Sequence, residues 1–373
     1  MSSYKVVHLA FPDKNAEVHI GKGVLADIAS MSKDRFVGTK VLFFSDETCG
    51  PVYGELSKKR FEELEYQVFE IQFKANEDIK TLDNIKEIWE KLKFEHFSRE
   101  DIIVAIGGST ILELVGFAAS TYMHGMRYIQ VPTTLMSMAD TCVGGKSNIE
   151  FSNKQNVLGT FYQADLVCCD TRCLHTCNDE EWQNGFASLV RCAIVAPRRS
   201  FYEWLRSHAS SLQNKDDFTL RDAIYMSLDC KADLVMKDFS DTTDVQACFK
   251  MGDSFASALL STDAAKDLSC GLALAEALRF SSKLAVEVLG TPIDFITRLE
   301  ELLTLFDLKE QGFSSTPENI FYALTSQENS SVESFQFILP RDFNEWDCVK
   351  VSDELVYEHV DAWCTYKEQL LNQ

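Results

Sequence analysis

The stretch DIIVAIGGSTILELVGF (101–117), followed by TYMHGMRYIQVPTTLMSMADTCVGGKSN (121–148) and KQNVLGTFYQ (154–163), decides the fold of this chain. It contains two short apolar runs of the kind that form buried strands, and the first run leads through a glycine pair into an apolar helical pattern. A strand, a glycine turn and a helix bring backbone N–H groups close to a pyrophosphate. A tight turn without any ligand has the same local pattern, so the glycine pair alone does not distinguish a nucleotide-binding turn from a simple strand-to-helix turn.

Composition limits the class of protein. At 373 residues the chain is long enough for two domains with separate cores, and 46% hydrophobic with 25% charged residues is typical of soluble globular proteins. The sequence has no run of 18 apolar residues and no signal-peptide core near its N-terminus, so it predicts a cytoplasmic location. The formal net charge of -21 disfavours nucleic acid and anionic membranes as partners.

Twelve cysteines raise the question of disulfide bonds. A chain of this length does not need covalent cross-links to hold its core together. Cys168, Cys169, Cys173 and Cys177 also lack the paired C-x-x-C spacing of a zinc ribbon. We therefore expect reduced and mostly buried thiols.

Strands and helices alternate through the first 170 residues. An apolar strand precedes Asp46, a second strand is predicted over 67–73, and a helical pattern separates that strand from the one before Gly107. This alternation predicts a parallel sheet with helices on both faces. Ligands of such sheets bind beyond the carboxyl ends of the strands, where Asp46, Gly107 and Thr133 fall. We predict a Rossmann-like α/β domain over residues 1–178.

The pattern changes at Asn178. Asn178 and Glu181, three residues later, have the sequence of a capping box that opens a helix. Apolar positions at helical spacing then dominate the chain. Helices are predicted over 200–212, 218–239, 245–261, 267–288, 292–306, 317–325 and 353–371. Residues 179–373 are therefore predicted to form a mostly α-helical domain.

Taken in order, the motifs of residues 43–329 resemble the 3-dehydroquinate synthase family of sugar-phosphate cyclases, which use NAD and a divalent metal. The resemblance rests on the two strands, the Thr-Thr turn, the acid and Gly-Gly-Lys turn at 140–146, and the Asn at 156. It implies a dehydroquinate synthase-like α/β fold, with an N-terminal Rossmann-like parallel sheet domain and a mostly α-helical C-terminal domain. It also implies a homodimer.

The resemblance assigns candidate site residues. At the family's NAD-contacting positions stand Asp46, Glu77, Lys80, Gly107, Gly108, Glu113, Thr133 and Thr134. At its catalytic positions stand Asp140, Lys146, Asn156, Arg191 and Lys231. NAD is the cofactor that these positions imply. The glycine motif departs from the family pattern at Leu112, which replaces a glycine where the pyrophosphate approaches.

The metal positions hold different side chains from those of the family. The family's ligands are one Glu and two His, and the matching positions here are Ser188, Asp253 and Cys270. A serine hydroxyl is a poor zinc ligand beside a carboxylate or an imidazole. Losing even a residue that supports a ligand costs roughly 10- to 100-fold in metal affinity. We expect no zinc or other divalent metal, although an aspartate and a cysteine would suit a softer metal if a third ligand helped.

Positive charge for a doubly anionic substrate is also reduced. The family's phosphate-binding arginine is matched by His124, and its Arg and Asn ahead of the first metal histidine are matched by Gln246 and Lys250. Histidine in place of arginine loses a permanent charge and a bidentate donor. The field of a chain with net charge -21 repels such a substrate further.

These departures predict a catalytically degenerate homologue, a pseudoenzyme, that has lost the metal-dependent reaction and acts by binding a nucleotide or a protein partner. The alternative is an active NAD-dependent sugar-phosphate cyclase, a phosphate-eliminating carbon–oxygen lyase, with an altered metal site and a less anionic substrate. A third interpretation is a structural protein without nucleotide affinity. Metal content and NAD binding discriminate among the three.

Overall fold

The computed structural model describes residues 4–12, 14–74, 79–151, 154–196, 200–327 and 334–372. The chain forms two compact units, the first made of residues 1–177 and 215–240 and the second of 178–214 and 241–373. Segment 215–240, which the sequence placed in the second domain, therefore lies with the first unit. Among the described residues, no helix combines the length and the hydropathy needed to span a membrane.

The first unit is built on a sheet that is parallel except at one edge. The strands of this unit are β1 (Tyr4–Ala10), β2 (Asn15–Gly21), β3 (Lys40–Asp46), β4 (Gln67–Phe73), β5 (Ile102–Gly107), β6 (Arg127–Pro132), β7 (Lys146–Phe151), β8 (Lys154–Phe161) and β9 (Leu166–Asp170). Strands β7 and β8 form a separate hairpin. Within the described residues the order is β1-β2-β9-β6-β5-β3-β4, with only β1 and β2 antiparallel. The predicted parallel sheet is confirmed.

Helices follow the strands of the first unit. They are α1 (Ile28–Lys33), α2 (Glu55–Glu63), α3 (Leu82–Phe94) and α4 (Ser109–Thr121). The hydroxyl of Thr81 caps α3 by accepting a hydrogen bond from the N–H of Asn84, and Ile85, Ile88 and Leu92 form its buried stripe. Every residue of β5 is buried, as expected for a central strand covered on both faces.

The remaining helices begin at the predicted capping box. They are α5 (Asp179–Val195), α6 (Ser200–Gln213), α7 (Asp217–Val235), α8 (Asp253–Leu260), α9 (Cys270–Leu289), α10 (Ile293–Leu305), α11 (Pro317–Gln327) and α12 (Asp353–Leu371). All except α7 lie in the second unit. The Asn178 side chain accepts from the Glu181 N–H, and the Glu181 carboxylate accepts from the Asn178 N–H, both at 2.9 Å. The capping box is confirmed.

The single helix predicted over 245–261 is wrong. Residues Asp244–Lys250 form a 3-10 segment, and α8 begins only after Gly252, whose φ is 86°. Positive φ interrupts a right-handed helix and suits glycine. A Cβ on Gly252 would also lie 3.2 Å from the Cβ of Ala277, so the glycine allows close packing against α9.

The second unit contains a hairpin that was not predicted from the sequence. Strands β10 (Ser334–Asp342) and β11 (Glu345–Ser352) pair antiparallel. Phe335, Phe337 and Leu339 alternate into the core, which is the period-2 signal that would have found the strand. Asn344 has φ of 71°, a conformation that asparagine tolerates in tight turns.

All twelve cysteines are thiols, and nine of them are buried. The prediction of reduced, mostly buried thiols is therefore confirmed. Cys270, one of the candidate metal positions, is the exposed member of the set.

A group of charged side chains is buried in the second unit. Lys367 of α12 and Glu276 of α9 are both 0% exposed and form an ion pair. The Lys367 ammonium also lies 2.9 Å from the Glu310 carboxylate, and the Arg279 guanidinium lies 3.1 Å from Glu276 and 3.0 Å from Glu300. Removing one member would leave the opposite charges of this group buried with less compensation.

Lys367→Met tests this group. Because the Glu276 and Glu310 carboxylates would both lose a cationic partner, we expect the free energy of unfolding of the second unit to fall by about 3–5 kcal/mol. The measurement is urea denaturation of the full chain. The matched control is Lys309→Met, which removes an exposed ion pair with Asp307, where we expect less than about 1 kcal/mol. Similar losses in both variants would contradict the interpretation.

Glu310 gives this group a pH dependence. Burial opposes ionisation of its carboxyl, but hydrogen bonds from Lys367 and Tyr366 outweigh burial, and the pKa of Glu310 lies below its ordinary value. A depressed folded-state pKa stabilises the protein above the unfolded-state pKa, and that stability is lost as pH falls through the folded-state value. We expect the wild type to lose unfolding free energy more steeply than Glu310→Gln between about pH 5 and pH 3. Parallel urea-unfolding profiles of the two proteins would exclude this contribution.

Candidate active site

The carboxyl ends of β3, β5 and β6 lie side by side because these strands are neighbours in the sheet. They bring Asp46, Gly107 and Thr133 to one edge, and the Thr133 N–H donates a hydrogen bond to the Gly107 carbonyl at 3.0 Å. Asp46 is buried, and its carboxylate accepts from the N–H groups of Thr48 (2.8 Å) and Cys49 (2.6 Å). Asp46 therefore fixes the turn after β3 at the edge where a ligand of this sheet would bind.

The turn between β5 and α4 has the backbone of an anion site. A Cβ on Gly107 would lie 2.8 Å from the Cβ of Ile111, so only glycine fits without a shift of the helix. Gly108 is the N-cap of α4 without a side-chain acceptor, and the first turn of α4 contains no acidic residue. The N–H groups at this end therefore favour a negative charge. Leu112 is fully buried, so its side chain does not project into open space in front of the turn.

Two predicted NAD contacts pair with each other. The Lys80 ammonium lies 2.6 Å from the Glu113 carboxylate, and less than one fifth of either side chain is exposed. A ribose or adenine would have to draw hydrogen bonds from groups that already satisfy each other. Glu77, predicted to stand beside them, lies outside the described residues.

The Thr-Thr turn is held by local hydrogen bonds. The Thr133 hydroxyl accepts from the Cys49 thiol at 3.4 Å, and the Thr134 hydroxyl lies 2.9 Å from that of Ser137. A Cβ on Gly108 would lie 3.5 Å from the Thr134 methyl group, so the turn lies beside the N-terminus of α4. The predicted cofactor-binding positions of β5 and β6 are therefore brought together.

Among the catalytic candidates, Asp140 and Lys231 are in contact. The Lys231 ammonium forms an ion pair with the Asp140 carboxylate and also donates to the Asp140 backbone carbonyl at 2.8 Å. Lys146 opens β7 and is partly buried. Asn156 lies in β8, but its side chain is outside the described residues. Lys231 comes from α7, which packs against β1, β2 and the turn at Ser137–Thr141 and so belongs with the first unit.

In the second unit, Arg191 of α5 and Asp253 of α8 form an ion pair. The guanidinium Nη1 lies 2.5 Å from Asp253 Oδ1, and the two side chains are 10% and 53% exposed. A buried guanidinium without an anion would be costly, so Asp253 stabilises Arg191 in place. Spacing in the sequence gave no sign of this contact.

The other two candidate metal positions make different contacts. The Ser188 hydroxyl donates to the backbone carbonyl of Asn184 within α5 at 3.2 Å. Cys270 is the first residue of α9 and is exposed. The Gly271 N–H beside it donates to the Asn184 side chain at 2.5 Å. Asn184, one helical turn before Ser188, thus ties α5 to the start of α9, a contact that was not predicted from the sequence.

The side chains at these positions do not fit a divalent metal. Within the described ranges, no three His, Cys, Asp or Glu side chains come together in an arrangement that could hold one. The Ser188 hydroxyl is used inside its own helix, and the Asp253 carboxylate is neutralised by a guanidinium whose charge would repel a cation.

Comparison with known proteins identifies the family. Residues 70–184 match the family described as 3-dehydroquinate synthase N-terminal, and residues 185–329 match that described as 3-dehydroquinate synthase C-terminal. A 3-dehydroquinate synthase of Hydrogenovibrio crunogenus is 32% identical over 255 residues, which are 68% of this chain and 70% of the relative. This chain belongs to the 3-dehydroquinate synthase family. The relative from Microcystis aeruginosa is 28% identical over 345 residues, covering 92% of this chain and 93% of its own length.

Solved structures agree on the fold. A 2-deoxy-scyllo-inosose synthase, crystallised with carbaglucose-6-phosphate, NAD+ and Co2+, superposes with a TM-score of 0.87 at 20% identity, covering 96% of this chain and all of the other. At that identity the likeness shows the fold alone. The chain thus has the dehydroquinate synthase-like fold of a Rossmann-like parallel sheet domain and a mostly helical domain, as the sequence predicted.

A double-mutant cycle tests the Arg191–Asp253 contact. We expect a coupling energy of about 1–2 kcal/mol between Arg191→Met and Asp253→Ala, less than for a fully buried pair because half of the Asp253 side chain is exposed. Urea unfolding of the four proteins measures it. The control cycle is Arg206 with Glu301, an ion pair in which both side chains are about half exposed, where we expect less than about 1 kcal/mol. Zero coupling between Arg191 and Asp253 would contradict the contact.

Proposed function

We propose that this chain is a degenerate member of the 3-dehydroquinate synthase family that has lost the metal-dependent reaction and acts by binding. The ion pair between Arg191 and Asp253 carries the proposal. It joins a position where the family has a lysine to one where the family has a metal histidine, at 2.5 Å. The only carboxylate among the three metal positions is thereby neutralised, and a hydroxyl and a lone thiol are a poor zinc ligand set.

Loss of cationic groups supports the same proposal. Gln246 is buried and neutral, and the Lys250 ammonium is engaged by the Asp241 carboxylate at 2.7 Å. His124, at the position of a phosphate-binding arginine, has no permanent charge. A substrate with a phosphate and a carboxylate would therefore be held weakly, in a chain whose net charge is -21.

We propose that the first unit still binds a dinucleotide. Asp46 would hold a ribose, the N–H groups beside Gly108 would hold the pyrophosphate, and Thr133 with Thr134 would flank it. NAD, when bound, supplies a hydride acceptor. The glycine turn and the uncapped start of α4 support the proposal, as does a structural neighbour described with NAD+.

The chain is further proposed to act as a homodimer and to present its surface to a protein partner in the cytoplasm. Nucleic acid is not proposed as a ligand, because a chain with net charge -21 has no excess of the cationic side chains that phosphates require. Size-exclusion chromatography with light scattering measures the oligomeric state.

One observation favours the rival, an active lyase of the same family with an altered metal site. Asp140 and Lys231, at two catalytic positions of the family, are retained and in contact. An active enzyme would need a metal or another group to polarise its substrate alcohol. Metal content therefore separates the two functions.

The test is elemental analysis of the purified protein, with NAD titrated calorimetrically on the same sample. We expect well under one metal per chain and saturable NAD binding that Asp46→Asn weakens about tenfold. A variant with the four family residues restored, Ser188→Glu, Arg191→Lys, Asp253→His and Cys270→His, is expected to gain zinc. Arg191→Lys belongs in the set because the family has a lysine at this position.

Stoichiometric zinc, cobalt or iron in the wild type, lost on both Asp253→Ala and Cys270→Ala, would overturn the degenerate assignment and favour the lyase. Absence of NAD binding would overturn the dinucleotide part of the proposal alone. A restored variant that binds zinc while the wild type does not would locate the loss of metal at these four positions.

A further inference from the structure

Two cysteine thiols of the first unit contact the same residue. The Cys49 thiol donates a hydrogen bond to the Thr133 hydroxyl, and the Cys177 thiol donates to the Thr133 backbone carbonyl, both at 3.4 Å. Neither thiol has a role in the proposed function. Thiols that flank one residue can form a disulfide when the backbone segments that carry them are able to approach each other.

A further contact holds these two segments together beside the cysteines. The Tyr53 hydroxyl, on the segment that follows Cys49, donates to the backbone carbonyl of Cys173 at 3.2 Å. The same hydroxyl lies 2.9 Å from the hydroxyl of Thr176, the residue before Cys177. The segments that carry Cys49 and Cys177 are therefore neighbours, although they are far apart in the chain.

The positions of the two cysteines in the fold allow movement. Cys49 is the N-cap of the short helical segment Gly50–Gly54, and Cys177 is the C-cap of the 3-10 segment Thr171–Thr176, so neither lies in a strand of the sheet. Residues between the regular elements shift at lower cost than residues of a hydrogen-bonded core strand. The pair can therefore reach the narrow geometry of a disulfide more easily than thiols within the sheet can.

Exposure assigns a role to each thiol. Cys177 is partly exposed, whereas Cys49 is 9% exposed. An oxidant therefore reaches Cys177 first, and Cys49 is placed to react with the oxidised sulfur. Cys168 and Cys169 differ from this pair, because they are fully buried in β9 and burial raises the pKa of both thiols. A raised pKa disfavours the thiolate that an oxidant attacks.

A bridge at this place would alter the edge of the sheet where a dinucleotide is proposed to bind. The Cys49 N–H donates to the Asp46 carboxylate at 2.6 Å, so movement of Cys49 disturbs the residue proposed to hold a ribose. Joining the two sulfurs also removes both thiol hydrogen bonds to Thr133. Thr134, the next residue, lies beside Gly108 at the proposed pyrophosphate turn.

We propose that Cys49 and Cys177 are a redox modification site, and that their disulfide weakens dinucleotide binding. The oxidant is hydrogen peroxide. The Cys177 sulfur attacks one peroxide oxygen, the O–O bond breaks, and a sulfenic acid and water are formed. The Cys49 sulfur then attacks the Cys177 sulfur, so that the S–S bond forms and the S–O bond breaks. The Cys49 proton leaves with the hydroxide as a second water.

The two sulfurs together lose two electrons, and these reduce the peroxide. A dithiol reverses the reaction by thiol–disulfide exchange. The modification site does not rest on the proposed function, whereas its effect on dinucleotide binding does.

The first test treats the full reduced chain with hydrogen peroxide, blocks the remaining thiols with N-ethylmaleimide in denaturant and maps linked peptides by mass spectrometry. We expect a Cys49–Cys177 linked peptide that dithiothreitol removes, while Cys168 and Cys169 stay thiols. In Cys49→Ser we expect a sulfenic acid on Cys177, which dimedone traps. The matched control is Cys173→Ser, which removes a thiol of the same region and is expected to form the bridge as the wild type does.

The second test titrates NAD calorimetrically into reduced and oxidised protein. We expect the bridge to weaken NAD binding at least about tenfold, as for loss of a hydrogen bond to a charged group, and dithiothreitol to restore it. Cys177→Ser is expected to keep its NAD affinity after peroxide treatment. Circular dichroism before and after treatment shows that the chain is folded.

No linked peptide in folded, oxidised protein, or a linked peptide that joins other cysteines, would overturn the modification site. A Cys49–Cys177 bridge with unchanged NAD affinity would overturn its regulatory effect. If the reduced wild type binds no NAD, the dinucleotide part of the proposed function fails, and the linked peptide still decides whether the modification site exists.

Discussion

Parallel pairing of β3, β5 and β6 is the constraint on which the candidate dinucleotide site depends. Because parallel strands end at the same edge, Asp46, Gly107 and Thr133 meet although they are far apart in the chain. The position of α4 in turn requires glycine at 107, where any side chain would meet Ile111 of this helix. The start of α4 is thereby placed at this edge with its N–H groups unoccupied by an acidic side chain.

Charged groups at the family's functional positions contact one another throughout the chain. Lys80 with Glu113 and Lys231 with Asp140 are such pairs in the first unit, and Arg191 with Asp253 is the pair in the second. In the first two pairs, a lysine at a family position contacts an acidic side chain. An anionic ligand could therefore take the place of the acidic side chain, because both carry the charge that the lysine attracts. The third pair is different, because it places a carboxylate and a guanidinium at positions where the family has a neutral ligand and a lysine.

Local patterns in the sequence were enough to predict the sheet, the capping box and the state of the thiols. They failed where tertiary packing decides the outcome. Gly252, whose φ is 86°, interrupts the helical pattern at a point where it packs closely against Ala277 of another helix. Residues 215–240 join the first unit because α7 packs against β1 and β2, and Lys231 contacts Asp140, 91 positions earlier in the chain. Apolar residues alternate with period 2 along β10, but helices are predicted on both sides of the hairpin, and the strand was therefore not recognised.

For the candidate site, the resemblance supplied the identities of the residues but not their partners. The resemblance identified each metal position separately, at Ser188, Asp253 and Cys270. The structure shows that Asp253 forms an ion pair with Arg191. Arg191 is a nearly buried charge, and Asp253 supplies an anion that accepts a hydrogen bond from its guanidinium Nη1. The replacement at 253 therefore stabilises the one at 191. Since the pair links α5 to α8, a neutral metal ligand in place of Asp253 would leave the Arg191 guanidinium without this carboxylate, and this coupling opposes the single substitution.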